Sequence, residues 1–167
     1  MLIVFYFLVL LVVIFFFGRW FLAIGYSGVP YVGINLHALK EGMEMAKIFS
    51  GETIVDLGSG DGRILIAAAK QGAQVIGYEI NPLLVWLTRW RLHKYKNARV
   101  ICRDIRQADL SGVDVVFVYG IPGLMPWIKN FVDRFHHSGL RVISFGFQIP
   151  GYTAVEQRGL ARLYRFD

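Results

Sequence analysis

Apolar positions change their spacing along the chain, and each change predicts a different kind of element. Residues 2–17 are apolar or aromatic without a break; Gly18 and Arg19 interrupt the run and 20–24 resume it. A helix with no polar stripe is suited to lipid rather than to one side of a soluble core. As a helix, residues 2–24 cover roughly 34 Å, enough for a hydrocarbon core. The expectation is an N-terminal transmembrane helix, with the chain held to the membrane through residues 2–24. Arg19 snorkels towards the headgroups, and Trp20 and Tyr26 sit in the interfacial belt. No Lys or Arg precedes the run and no small-residue cleavage site follows it, which argues against a removed signal peptide. Positive residues lie only on the C-terminal side, starting with Arg19, Lys40 and Lys47. The positive-inside rule then predicts a single-pass membrane protein with its globular part cytoplasmic.

Beyond the turn-rich stretch 25–33, Leu36, Leu39, Met43 and Ala46 recur at helical spacing, predicting a helix over 36–49 that stops at Ser50-Gly51. Then the pattern alternates between short β-branched runs and helical stretches. Strands are expected at 53–57, 74–79, 98–102, 113–119 and 140–145. Helices are expected at 63–71, at 82–95 (Asn81 as N-cap, Pro82 at the first helical position) and within 122–136. Strands alternating with helices, each bounded by glycine, predict a doubly wound, mainly parallel α/β sheet. The tail, 152–157 and 160–166 around Arg158-Gly159, reads as an antiparallel hairpin closing one edge. The expected organisation is an anchor over 1–25, a loop and helix over 26–50, and one domain over 51–167, which suits a chain of 167 residues.

Charge and cysteine alter this picture little. Eighteen Lys+Arg against 12 Asp+Glu give a net charge of +6. That surface attracts nucleic acid, anionic lipid or an acidic protein face without choosing among them. The single cysteine, Cys102, precludes an internal disulfide and fits a reducing compartment. His37 and His93 stand alone, His136 and His137 suit a helix end, and no zinc-ligand spacing exists, so no metal is expected.

The candidate chemistry lies where the first strand passes into the first helix of the alternating region: Val55-Asp56-Leu57-Gly58-Ser59-Gly60-Asp61-Gly62-Arg63. A glycine-rich turn there lets a ligand approach the backbone N–H groups at a helix start. Dinucleotide binders space their glycines G-x-G-x-x-G; here the spacing is G-x-G-x-G, with Asp56 two residues before the first. A carboxylate at that place repels a pyrophosphate and suits an ammonium, such as the methionine end of S-adenosylmethionine. Glu79, at the end of the second strand, can accept from ribose hydroxyls. Asp104, after the third, can accept from the adenine amino group, with the Ile105 N–H facing a ring nitrogen. The expected cofactor site is therefore Asp56, Gly58, Ser59, Gly60, Gly62, Glu79, Ile80, Asp104 and Ile105.

The segments 56–63 and 77–83 (Gly-Tyr-Glu-Ile-Asn-Pro-Leu) resemble those of the small protein-lysine methyltransferases that modify the mitochondrial adenine nucleotide translocase and the ATP synthase c subunit. Val29-Pro30-Tyr31-Val32 upstream and Tyr119-Gly120-Ile121-Pro122-Gly123-Leu124-Met125 after the fourth strand extend the likeness over about residues 26–167. It departs at Gly33-Ile34, where the family usually has Pro-Thr, and at Arg106, where it usually has Trp. The resemblance implies a class I, Rossmann-like S-adenosylmethionine-dependent methyltransferase whose acceptor is a protein lysine, with a membrane-associating segment before the domain.

Tyr119 and Tyr31 are the candidates on the acceptor side, as an aromatic wall and a pocket-closing residue. No general base is identifiable. The Asp/Asn-Pro-Pro-Tyr run that marks methylation of planar amines is absent, so nucleic acid is the less favoured acceptor. A small-molecule methyltransferase and a non-catalytic membrane protein that binds the cofactor as a sensor stay open as alternatives.

Overall fold

The computed structural model describes residues 2–25, 31–120 and 122–166, without the side chains of 19–25. It divides into two compact units, 1–32 and 33–167. The side chains of Arg19 and Trp20, the segment 26–30 with Tyr26, and Ile121 lie outside the described residues.

The first unit is a helix, α1 (Leu2–Gly25), exposed over residues 2–17. Among the described residues, no helix is long and apolar enough to cross a membrane. This corrects the expected transmembrane helix and the single-pass localisation with a cytoplasmic domain.

The second unit opens with α2 (Leu36–Ala46), started by Asn35, whose side chain accepts from the Ala38 N–H at 2.8 Å. It ends earlier than the periodicity suggests because Lys47 turns into the left-handed region (φ 47°). Then follow β1 (Thr53–Leu57), α3 (Arg63–Ala69), β2 (Gln74–Glu79), α4 (Pro82–Leu92), β3 (Ala98–Cys102), β4 (Val115–Tyr119), α5 (Met125–Phe135), β5 (Arg141–Phe145), β6 (Glu156–Arg158) and β7 (Ala161–Arg165). Short 3₁₀ turns precede β4 (Ile105–Gln107) and α5 (Pro122–Leu124).

The seven strands form one sheet in the order β3-β2-β1-β4-β5-β7-β6. Every pairing from β3 across to β5 is parallel. Then β7 lies antiparallel to β5, and β6 antiparallel to β7. The predicted parallel core and C-terminal hairpin are present. The hairpin turn falls on Gly159-Leu160, one residue later than expected, because Arg158 pairs with Ala161.

The chain order reverses between β1 and β4, so the crevice at the carboxyl ends of these strands is the place where such sheets hold ligands. Burial on both faces explains why β1, β4 and β5 read as nearly continuous apolar runs. One face packs under α2, α3 and α4 with Ile54, Leu65, Val75, Val85 and Phe117; the other packs under α5 with Val55, Val116, Ile128 and Val132. Phe145 ties the first layer together. Its ring stacks on Phe117 at 6.3 Å and meets Tyr119 edge-on at 6.4 Å. A Cβ added at Gly42 of α2 would come within 2.4 Å of it, so only glycine lets the helix lie this close.

Candidate functional site

The glycine turn after β1 is held by backbone and side chains from β2 and α4. Gly58 and Ser59 both donate N–H bonds to the Tyr78 carbonyl, at 2.9 and 3.0 Å. Gly58, Gly60 and Gly62 have φ of 86°, 53° and 78°, a left-handed path that residues with a Cβ adopt at a cost. A Cβ at Gly58 would meet nothing within 4 Å, so the turn is open on that side; one at Gly62 would strike Thr88 at 2.6 Å. The turn is thus open at Gly58 and closed towards α4 at Gly62.

Glu79 is buried at the end of β2, and both its oxygens are engaged. Oε2 accepts from the Gly60 N–H at 2.9 Å and Oε1 from the Asn81 N–H at 2.8 Å. Each oxygen keeps a lone pair for a further donor. Asn81 in turn accepts from the Leu83 N–H at 3.0 Å, which starts α4 as its sequence predicts.

Asp56 is the electrostatic centre of the site. It is 2% exposed, and no donor among the described residues reaches its carboxylate. Burial, joined by the charges of Glu79 and Asp61, raises its pKa to about 8. Beside it in the turn, the Ser59 hydroxyl is also buried without a partner. A buried acid without a donor and an unsatisfied hydroxyl form the polar half of a site whose other half is a ligand. A cationic, hydrogen-bonding ligand fits them: an ammonium supplies both charge and donors.

Asp61 behaves differently although it lies five residues further on. It is clamped by Arg63 (2.9 and 2.8 Å) and Arg91 (2.7 Å), which lower its pKa to about 2 against the opposing effect of its burial. Arg91 also donates to the Asp61 carbonyl at 2.6 Å, and Arg63 donates to the Ile34 carbonyl. The clamp therefore ties the turn to α4 and to the segment before α2.

The remaining expected residues lie at neighbouring strand ends. Ile80 is exposed directly after Glu79. Asp104 caps the 3₁₀ turn holding the half-buried Ile105, and its carboxylate is engaged by Arg106, which lowers its pKa. Tyr119, half-buried at the end of β4, backs onto Phe145, and no hydrogen bond to its hydroxyl exists among the described residues. The structure thus brings the nine expected cofactor residues and Tyr119 to the carboxyl edge of the sheet. Tyr31 belongs to the other unit and is exposed there. His136 closes α5, its ring nitrogen 3.1 Å from the Val132 carbonyl, and His93 contacts the Trp90 carbonyl.

Sequence reasoning passed over Thr88 and Arg91. Thr88 is fully buried and its hydroxyl donates to the Gly60 carbonyl at 2.8 Å. Its signal is a hydroxyl on the inward face of an otherwise apolar helix stretch. Thr88→Val keeps the shape but strands that carbonyl, which costs about 1–3 kcal/mol if no water reaches it. The variant is expected to lose stability by that amount in urea melts, with m unchanged.

The chain is similar to known methyltransferases. The family described as the ANTKMT methyltransferase domain matches residues 56–156. The human lysine N-methyltransferase of the ATP synthase c subunit is 33% identical over 144 residues, covering 83% of this chain and 61% of that protein. The mouse adenine nucleotide translocase lysine N-methyltransferase is 31% identical over 145 residues, covering 83% and 63%. The crystal structure of an RNA methyltransferase from Salinibacter ruber in complex with S-adenosyl-L-homocysteine superposes with a TM-score of 0.74 at 28% identity, covering 81% of this chain and 92% of that one. The chain spans about half to three fifths of the length of the ATP synthase-directed methyltransferases it matches. With more than half of its residues matched, the chain belongs to the ANTKMT methyltransferase domain family.

Proposed function

We propose that the chain transfers a methyl group from S-adenosylmethionine to a lysine side-chain amine of a protein. The observation that carries this reading is the buried, donorless Asp56 beside an open glycine turn, at the reversal point of the sheet. The named activities of the human and mouse relatives support the lysine acceptor.

In this reading Asp56 and Ser59 take the ammonium and carboxylate end of the cofactor, and Gly58, Gly60 and Gly62 let it approach the backbone. Glu79 accepts from the ribose hydroxyls with its remaining lone pairs, flanked by Ile80. Asp104 and the Ile105 N–H read the adenine edge. When bound, S-adenosylmethionine supplies an electrophilic methyl on a sulfonium. Tyr119 offers its backbone carbonyl and ring as a wall of the acceptor channel. A channel closed to water disfavours the ammonium form of an entering lysine and aligns its lone pair, so positioning and desolvation carry the acceleration.

A second reading, an RNA acceptor, is favoured by the name of the Salinibacter relative and by the net charge of +6. One experiment separates the two. The full chain is incubated with methyl-labelled S-adenosylmethionine and a cell extract, followed by separate digestion of protein and RNA. Label recovered as methyl-lysine is the expected result. Label confined to nucleotides overturns the lysine reading in favour of the second.

A further inference from the structure

Asp104 is expected to read the adenine amino group, yet both oxygens of its carboxylate are already engaged from within the chain. Oδ1 accepts from the Arg106 backbone N–H at 2.8 Å and from Nε at 3.0 Å. Oδ2 accepts from Nε at 3.0 Å and from Nη2 at 2.5 Å. A carboxylate offers about four lone-pair sites, two to each oxygen. Three N–H groups of one residue, two positions along, therefore already lie on both oxygens, the Nε–H shared between them, where an amino group would have to donate.

The two partners differ in freedom. The Asp104 side chain is 23% exposed and fixed as the cap of a 3₁₀ turn, whereas the Arg106 side chain is 67% exposed. The arginine side chain can leave without uncapping the turn; the aspartate cannot. Glu79 offers a contrast. Its bonds come from two backbone N–H groups that shape the turn, so a ligand adds to them instead of displacing them.

We propose that Arg106 is a specificity-determining residue that competes with adenine for Asp104, so that cofactor binding requires the guanidinium to swing off the carboxylate. This rests on the cofactor reading above. Two consequences follow from the chemistry. The competitor weakens binding, and it blunts discrimination between a base with an amino group at this edge and one with a carbonyl. A freed guanidinium can donate to a carbonyl, whereas Asp104 alone repels it.

The test is calorimetric titration of the full chain and of Arg106→Leu with S-adenosylhomocysteine, which lacks the sulfonium charge, and with its inosine counterpart, S-inosylhomocysteine. An exposed ion pair is weak, so removing it is expected to tighten S-adenosylhomocysteine only about two- to five-fold. The preference for adenine over hypoxanthine should widen in the variant. Added salt should tighten binding to the wild type, by screening the competing pair, and leave the variant unaffected. Arg106→Leu binding no tighter than wild type, with the same base preference, overturns the proposal and leaves the cofactor reading standing. Absence of binding by folded wild type overturns both.

Discussion

Asp56→Asn is expected to abolish S-adenosylmethionine binding while making the free chain more stable at alkaline pH. Both effects arise from one buried charge. In the folded chain the Asp56 carboxyl titrates at about 8, against 3.8 as the ordinary value, because burial and the neighbouring Glu79 and Asp61 oppose its ionisation. Between these two values the folded chain holds a proton that the unfolded chain has released. Stability therefore falls as pH rises through that window, and each unit of difference corresponds to about 1.4 kcal/mol. Below the lower value both states are protonated and the penalty is absent. Asn carries no titrating proton, so the variant's melting temperature should lose this slope between about pH 4 and about pH 8. The same substitution removes the anion that an ammonium needs, and with it the charge-assisted bonds that hold the amino-acid end. Melting curves across the window and calorimetric titration at its upper end check the two halves separately. Wild-type affinity in the variant would sink the assignment of Asp56, and an unchanged pH slope would sink its burial as the cause.

Phe145→Ala is expected to produce the largest loss of stability, about 3–5 kcal/mol, measured by urea unfolding. The ring is fully buried, stacks on Phe117, backs Tyr119 and fills the space over Gly42. Collapse around the cavity is resisted from two sides. Gly42 has no side chain to fill it, and Phe117 is fixed in a central strand paired on both edges. The Tyr119 ring loses its support as well, so a folded remnant should retain cofactor binding better than methyl transfer. A loss below about 1 kcal/mol would show that the layer repacks, contrary to the close fit of helix and ring at Gly42.

How far these features were legible follows from the range of the interactions behind them. The bounds of β1, β2 and β3 agree with the expectation from short runs of β-branched residues between glycines and polar turns. The start of α4 was equally legible, because Asn81 and Pro82 act within one turn of the helix. Its end was not. The expectation continues to Tyr95, but the helix closes at Leu92 with the His93 N–H bonded to the Trp90 carbonyl. In the site, the three acids could be placed because a strand-end position is a local property. What could not be read was which groups each acid meets. Arg91 reaches Asp61 across 30 positions and Thr88 reaches Gly60 across 28, so neither contact has a local signature. The first segment teaches the converse. Its apolarity over 2–24 is plain in the sequence, but among the described residues no helix is long and apolar enough to cross a membrane.

The place of β7 within the sheet has a consequence for synthesis. This strand is the last of the seven in chain order, yet it lies between β5 and β6 and covers the edge of β5. A ribosome delivers the strands in order, so β5, with Val142, Ile143 and Phe145, leaves the exit tunnel before its neighbour exists. Until residue 165 has emerged, an apolar strand presents an open row of N–H and C=O groups to any other extended chain. A message truncated upstream of Ala161 would thus yield an aggregation-prone product, a target for chaperones and proteases, even with every residue of the cofactor turn in place.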